Sequence, residues 1–126
     1  MAYAIYDYVS ENGKNEFYEW VKNLDRRQRA KLDSKIDMLE MSGGELPPNL
    51  LSPCDGPIKK FKVQGNPKLR PRLCAGPINI GVEYTMLAGA TERDMKDVPA
   101  NVVEIARIRR KEIIEFGESR RCAHVE

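Results

Sequence analysis

The period of apolar and polar positions changes along the chain, and each change marks an element. "YAIYDYV" (residues 3–9) is short, aromatic-rich and followed by "ENG", which reads as a first strand. In "KNEFYEWVKNLD", Phe17, Trp20, Val21 and Leu24 recur at helical spacing and predict an amphipathic helix. Asp25 then suits the N-cap of a second helix, with Gln28 placed as in a capping box and Leu32, Ile36 and Leu39 as the buried stripe. Ser42-Gly43-Gly44 is the expected stop. So short a link between the helices predicts a helical hairpin.

"GELPPNLLSPCDGP" reads as an irregular loop because of its prolines. Strand-like runs follow at about 58–64, 69–75 and 78–88, divided by Gly65-Asn66-Pro67 and Gly76-Pro77. Pro71 lacks a backbone donor and predicts a bulge in the middle run. Ile78, Ile80, Val82, Tyr84 and Met86 alternate cleanly, which makes the last run the best-marked strand. "ATERDMKDVP" reads as a charged connection. A final helix is expected from Pro99 to Phe116, with Asp97 as cap and Gly117 as stop. Its apolar face holds Val102, Ile105, Ala106, Ile113 and Phe116, with Arg109 near the middle, read as a stem snorkelling at the rim.

The order β-α-α-β-β-β-α predicts an α+β domain over residues 1–117, its last three strands a meander with helices on one face. Residues 118–126, "ESRRCAHVE" after Gly117, read as a flexible tail.

Composition narrows the classes. The 126 residues are 41% hydrophobic and 32% charged, which suits a globular domain. No apolar run approaches the roughly 18 residues of a membrane span. The N-terminus does not read as a signal peptide. Cys54, Cys74 and Cys122 are too widely spaced for a zinc site and fit free thiols in a reducing cytoplasm. The only histidine, His124, lies in the tail, so histidine-centred catalysis is not expected.

A formal net charge of +2 does not argue for nucleic acid, but its distribution does. "IKKFKVQGNPKLRPRLCAGP" (58–77) holds Lys59, Lys60, Lys62, Lys68, Arg70 and Arg72 and no acid. By strand parity Phe61, Val63, Leu69 and Leu73 share one face, and Lys60, Lys62, Arg70 and Arg72 share the other. Four cations on the outer face of neighbouring strands repel one another, a cost that a bound polyanion offsets. Lysines on an exposed edge strand also serve simply to discourage aggregation.

The order of elements with "EFYEWVKNLD", "RAKLDSKIDMLEMSG", "PIKKFKV", "RPRLCAGP", "YTMLAGATERDMKDVP" and "EIARIRRKEII" resembles the RelE/ParE toxin superfamily, and within it the HigB-like, often phage-encoded branch. The resemblance spans roughly residues 3–116. It implies a RelE-like fold, a small antiparallel or mixed sheet on an N-terminal helical hairpin. It further implies the toxin-like half of a toxin–antitoxin pair: a metal-independent endoribonuclease acting on ribosome-bound mRNA, without cofactor. A helix-turn-helix antitoxin is the implied partner. Carried over position by position, it marks Lys62, Arg72 and Arg93 as catalytic and Lys96 as a basic turn residue that binds RNA. Lys60 and Arg70 join the RNA-binding set from the facing argument alone.

Two departures stand out. The position where the family carries a histidine is Ala88, and its basic turn is diluted by Glu92, Asp94 and Asp97. They open the alternative of a catalytically impaired relative that acts as a protein-binding or regulatory module. A ParE-like gyrase inhibitor is a further alternative.

Overall fold

The structure is a computed structural model that describes residues 2–43 and 45–125. In chain order it comprises β1 (Ala4–Tyr8), α1 (Glu16–Lys22), α2 (Arg26–Glu40), β2 (Leu51–Asp55), β3 (Ile58–Phe61), β4 (Lys68–Leu69) and β5 (Arg72–Ala75). There follow β6 (Glu83–Ala88), β7 (Thr91–Arg93), β8 (Lys96–Val98), α3 (Val102–Phe116), a 3-10 turn (Gly117–Arg120) and β9 (Arg121–Ala123). It is an α+β arrangement with a mixed sheet, ordered β2-β3-β5-β6-β1-β9, and a small sheet β4-β7-β8. β1 runs parallel to β6, whereas β3, β5 and β6 pair antiparallel as the expected meander.

The helical hairpin follows its local signals. Asn15 Oδ1 accepts from Tyr18 N–H at 2.8 Å and caps α1, and Asp25 Oδ1 accepts from Gln28 N–H at 2.7 Å and caps α2. The capping box is only half made, because the Gln28 amide donates instead to Pro67 O at 2.7 Å. Leu32, Ile36 and Leu39 bury their stripe against Phe17, Ile5, Phe61, Leu73 and Met86. Gly43, at φ +63°, takes the left-handed conformation expected of a helix stop; Gly44 lies outside the described residues.

Several sequence expectations are corrected. Helices cover both faces of the sheet: α1 and α2 one, and α3 the other, where Ala106 and Ile113 meet Tyr8, Ile58, Cys74 and Leu87. With both faces covered, β6 is buried along its whole length. It is shorter than expected, since 78–82 is turn and bend and Ile80 is 72% exposed. The proline-rich loop ends in edge strand β2, where exposed Pro53 needs no outward partner. The charged connection is the hairpin β7–β8.

The tail is also ordered into the sheet: β9 pairs with β1, and Arg121 is buried against Glu83 and Glu118. Three residues are too few to show a period, so this non-local pairing had no sequence signal. Burial alone would raise the Glu83 carboxyl, but hydrogen bonds from Arg121 and Asn79 outweigh it and hold its pKa below the ordinary 4.5.

Candidate nucleic-acid interface

The basic stretch folds as one bent hairpin. Phe61 N–H donates to Pro71 O at 3.2 Å, and Val63 N–H donates to Leu69 O at 3.1 Å. Pro71 ends up between β4 and β5, as its missing donor requires. The hairpin therefore splits, β5 pairing with β6 and β4 with β7. Parity holds: Phe61, Val63, Leu69 and Leu73 all enter the core under the helical hairpin.

The opposite face was expected to be open, and at Arg70 and Arg72 it is closed. Arg72 is only 2% exposed; its Nη2 donates to Asp97 Oδ2 at 2.8 Å and its Nη1 to the Arg70 carbonyl. Arg70 is 5% exposed, donates from Nη1 to Leu69 O at 2.8 Å, and has Nε 3.4 Å from Glu92 Oε1. Glu92 also lies 3.8 Å from Lys68 Nζ. Glu92 and Asp97 face each other across β7–β8, where two like charges alone would repel. Lys68, Arg70 and Arg72 neutralise them, and the acids in turn offset the cost of taking two always-charged guanidinium groups out of water. Arg70 and Arg72 are thus not part of an exposed cationic face, because their acids arrive from a different strand pair. Asp97, expected to cap the last helix, is used here instead; α3 starts after Asn101 with no side-chain cap.

The remaining expected residues lie differently. Lys60 is half-buried and sits opposite Arg72, which on its other side sits opposite Ala88. Lys60, Arg72 and Ala88 thus form one row across three strands, with a methyl group where the resemblance expects an imidazole. His124 is remote from that row, its Nδ1 2.8 Å from Asp7 Oδ1 beside edge strand β9. Lys62 is exposed beyond the end of β3. Arg93 and Lys96 are exposed cross-strand neighbours flanking the tip of β7–β8. Asp94 and Met95 form that tip at φ +51° and +65°, the two left-handed positions of a tight hairpin turn, and Met95 is 93% exposed. Lys60, Lys62, Arg93 and Lys96 have no acidic partner among the described residues.

Sequence reasoning missed two groups near these residues. Lys31 and Lys35, one helical turn apart on α2, join Lys62 along a groove of about 470 Å³. Their i, i+4 spacing was legible, but their meeting with the end of β3 was not. Glu92 and Asp97 were read as diluting a basic turn, and Asp97 also as a helix cap, not as the partners of two arginines.

Arg109 does not snorkel outward. It donates to Leu87 O at 2.8 Å, pairs with Glu16 and lies 5.1 Å from the Tyr8 ring centre, tying α3 to β6 and α1. Tyr8 donates to Glu112 at 2.7 Å, and burial followed by that carboxylate pushes its pKa up to about 12, so it remains protonated. The Cys74 thiol, also pushed up to about 12 by burial, is inert at neutral pH. Among the described residues no group of three or more His, Cys, Asp or Glu side chains could hold a metal ion, and no helix is long and apolar enough to cross a membrane. Compared with known proteins, the chain matches no family model, no curated protein and no solved structure.

Proposed function

We propose that this chain is a RelE/HigB-like, toxin-type protein that engages the phosphates of translated mRNA through Lys60, Lys62, Arg93 and Lys96, and that it acts by binding rather than cutting. The observation that carries this reading is the division of the cations. Lys60 on β3, Lys62 just beyond it and the basic tip of β7–β8 lack acidic partners among the described residues, whereas Arg70 and Arg72 are consumed by Glu92 and Asp97. Cleavage by attack of a 2′-hydroxyl needs a charge stabiliser at the phosphorane and groups that move protons on both sides of it. Arg72 is turned into a buried ion pair, and its neighbour Ala88 has no proton to give. Binding needs only exposed cations, and these remain.

A second reading, the metal-independent endoribonuclease, draws on the row Lys60–Arg72–Ala88, where a lysine and an arginine lie on adjacent strands. It requires Asp97 to release Arg72 when RNA arrives. In either reading a helix-turn-helix antitoxin encoded beside the chain is the expected neutraliser.

Inducible expression in bacteria, with mRNA 5′ ends mapped and ribosome association measured across salt, separates the two. Growth arrest with intact mRNA and ribosome binding that falls steeply with salt is the expected result. Fresh cleavage ends that vanish in Arg72→Ala favour the second reading. Unimpaired growth without ribosome association overturns both.

A further inference from the structure

The edge of the main sheet is incomplete beside α2. β2 covers β3 only as far as the Leu51–Phe61 pair, and the chain before it folds into a turn in which Leu50 N–H donates to Pro47 O at 3.2 Å. From the Lys62 carbonyl onward the outer side of the strand is uncovered. Phe61 and Val63 direct their backbone groups inward, to Pro71 and Leu69. By alternation, those of Lys62 and Gln64 point outward. Two of these are taken: the Leu51–Phe61 pairing turns the Lys62 N–H to the Leu50 carbonyl, and Lys31 Nζ donates to Gln64 O at 3.2 Å. The Lys62 C=O and the Gln64 N–H have no partner among the described residues. The groove along this edge is floored by Ala30 and the lysine stems, rimmed by Lys31, Lys35 and Lys62, and lined by no acid.

We infer that this edge receives an extended, acidic segment of a partner polypeptide, added as a strand beside Lys62–Gln64. A donor, the Gln64 N–H, and an acceptor, the Lys62 C=O, stand free in strand register, which matches a peptide backbone; a phosphodiester offers acceptors but no N–H. The apolar floor accommodates alternate apolar side chains, and three lysines without an acid select carboxylates on the others. A lysine on an edge often only guards against aggregation. That explains Lys62 but not the convergence of Lys31 and Lys35 from a helix onto the same groove. The inference shares Lys62 with the proposed RNA contact but does not rest on it.

Titration of the full chain by amide-resolved NMR tests this with two short synthetic peptides. One alternates glutamate and valine; the other has the same charge with its central valine replaced by proline. The alternating peptide is expected to shift the Lys62 and Gln64 amides and to slow hydrogen exchange at Gln64. The proline peptide should bind about tenfold more weakly, as should Lys35→Glu or Gln64→Pro protein, a loss of about 1.4 kcal/mol. Arg93→Ala, on the tip of β7–β8, should leave peptide affinity unchanged. Equal affinity for the two peptides, or no response at Lys62 and Gln64, overturns strand addition. So does an oligouridylate that occupies these residues while neither peptide does. Loss of RNA binding in Arg93→Ala with peptide binding intact separates this surface from the RNA-contacting one.

Discussion

Lys60 and Lys62 on one strand of the basic hairpin, and Arg70 and Arg72 on the other, have the same side-chain parity and opposite fates. The lysines lack acidic partners among the described residues and reach water, Lys60 half-buried and Lys62 exposed. The arginines are sealed under β7–β8, each against its own carboxylate. Parity decides which face a side chain takes, but not whether that face is open. What covers it is set by a strand pair more than twenty residues downstream, as the 25-residue separation of Arg72 and Asp97 illustrates. A cluster of cations in sequence is therefore not a cationic surface until every element packed against it has been placed.

The contrast is most directly broken at Arg72. Arg72→Ala should cost about 2–4 kcal/mol, because it removes a buried stem and leaves Asp97 and the Arg70 carbonyl without their donor. Chemical denaturation measures this, and Arg72→Leu combined with Asp97→Asn should recover much of the loss. A change below about 0.5 kcal/mol in Arg72→Ala would mean that the arginine is free for RNA after all.

Gly89 comes next, since it lies where the chain leaves β6 for the hairpin that covers the arginines. A Cβ there would sit 2.1 Å from the Trp20 ring, so Gly89→Ala should cost about 1–3 kcal/mol and loosen β7–β8. Faster amide exchange at Glu92 and Asp97 is the expected signature.

At the other end of the sheet, Arg121 is buried on Glu83 just as Arg72 is on Asp97, and here the pH response has a definite sign. The folded Glu83 pKa lies below 4.5, so its contribution is fully present above that pH and is lost as pH falls through the lower folded value. The thermal midpoint should be insensitive to this group at neutral pH and drop in acid. Glu83→Gln should lower the neutral plateau and flatten the acid fall.

Lys62→Ala should move stability least, within about 0.5 kcal/mol, because the side chain touches water. It should nevertheless weaken ribosome or RNA binding and reduce the salt slope by about 1, the signature of one lost phosphate contact. Unchanged affinity and slope would detach this strand from RNA.

Where the outcome depends on neighbours a few residues away, the fold was legible. Asp25 and the 32–36–39 stripe announced α2, Pro71 announced the break between β4 and β5, and Gly117 announced the end of α3. Clean alternation misled at Ile78 and Ile80, because alternation reports parity and these residues lie in an exposed turn. Of the candidate site, Lys62, Arg93 and Lys96 stand in solvent as expected, whereas Arg70 and Arg72 do not.

By itself the sequence determined the helical hairpin, the meander and the inward facing of Phe61, Val63, Leu69 and Leu73 in the basic stretch, since helix caps, turn residues and a period of two act over short range. Only the tertiary structure decided that β9 closes on β1, that Lys31 and Lys35 reach the free edge beyond β3, and that Asp97 leaves its expected cap for Arg72. Those outcomes depend on which distant segments share a desolvated space, and the electrostatic demand of a buried arginine is met by whichever carboxylate the fold brings to it.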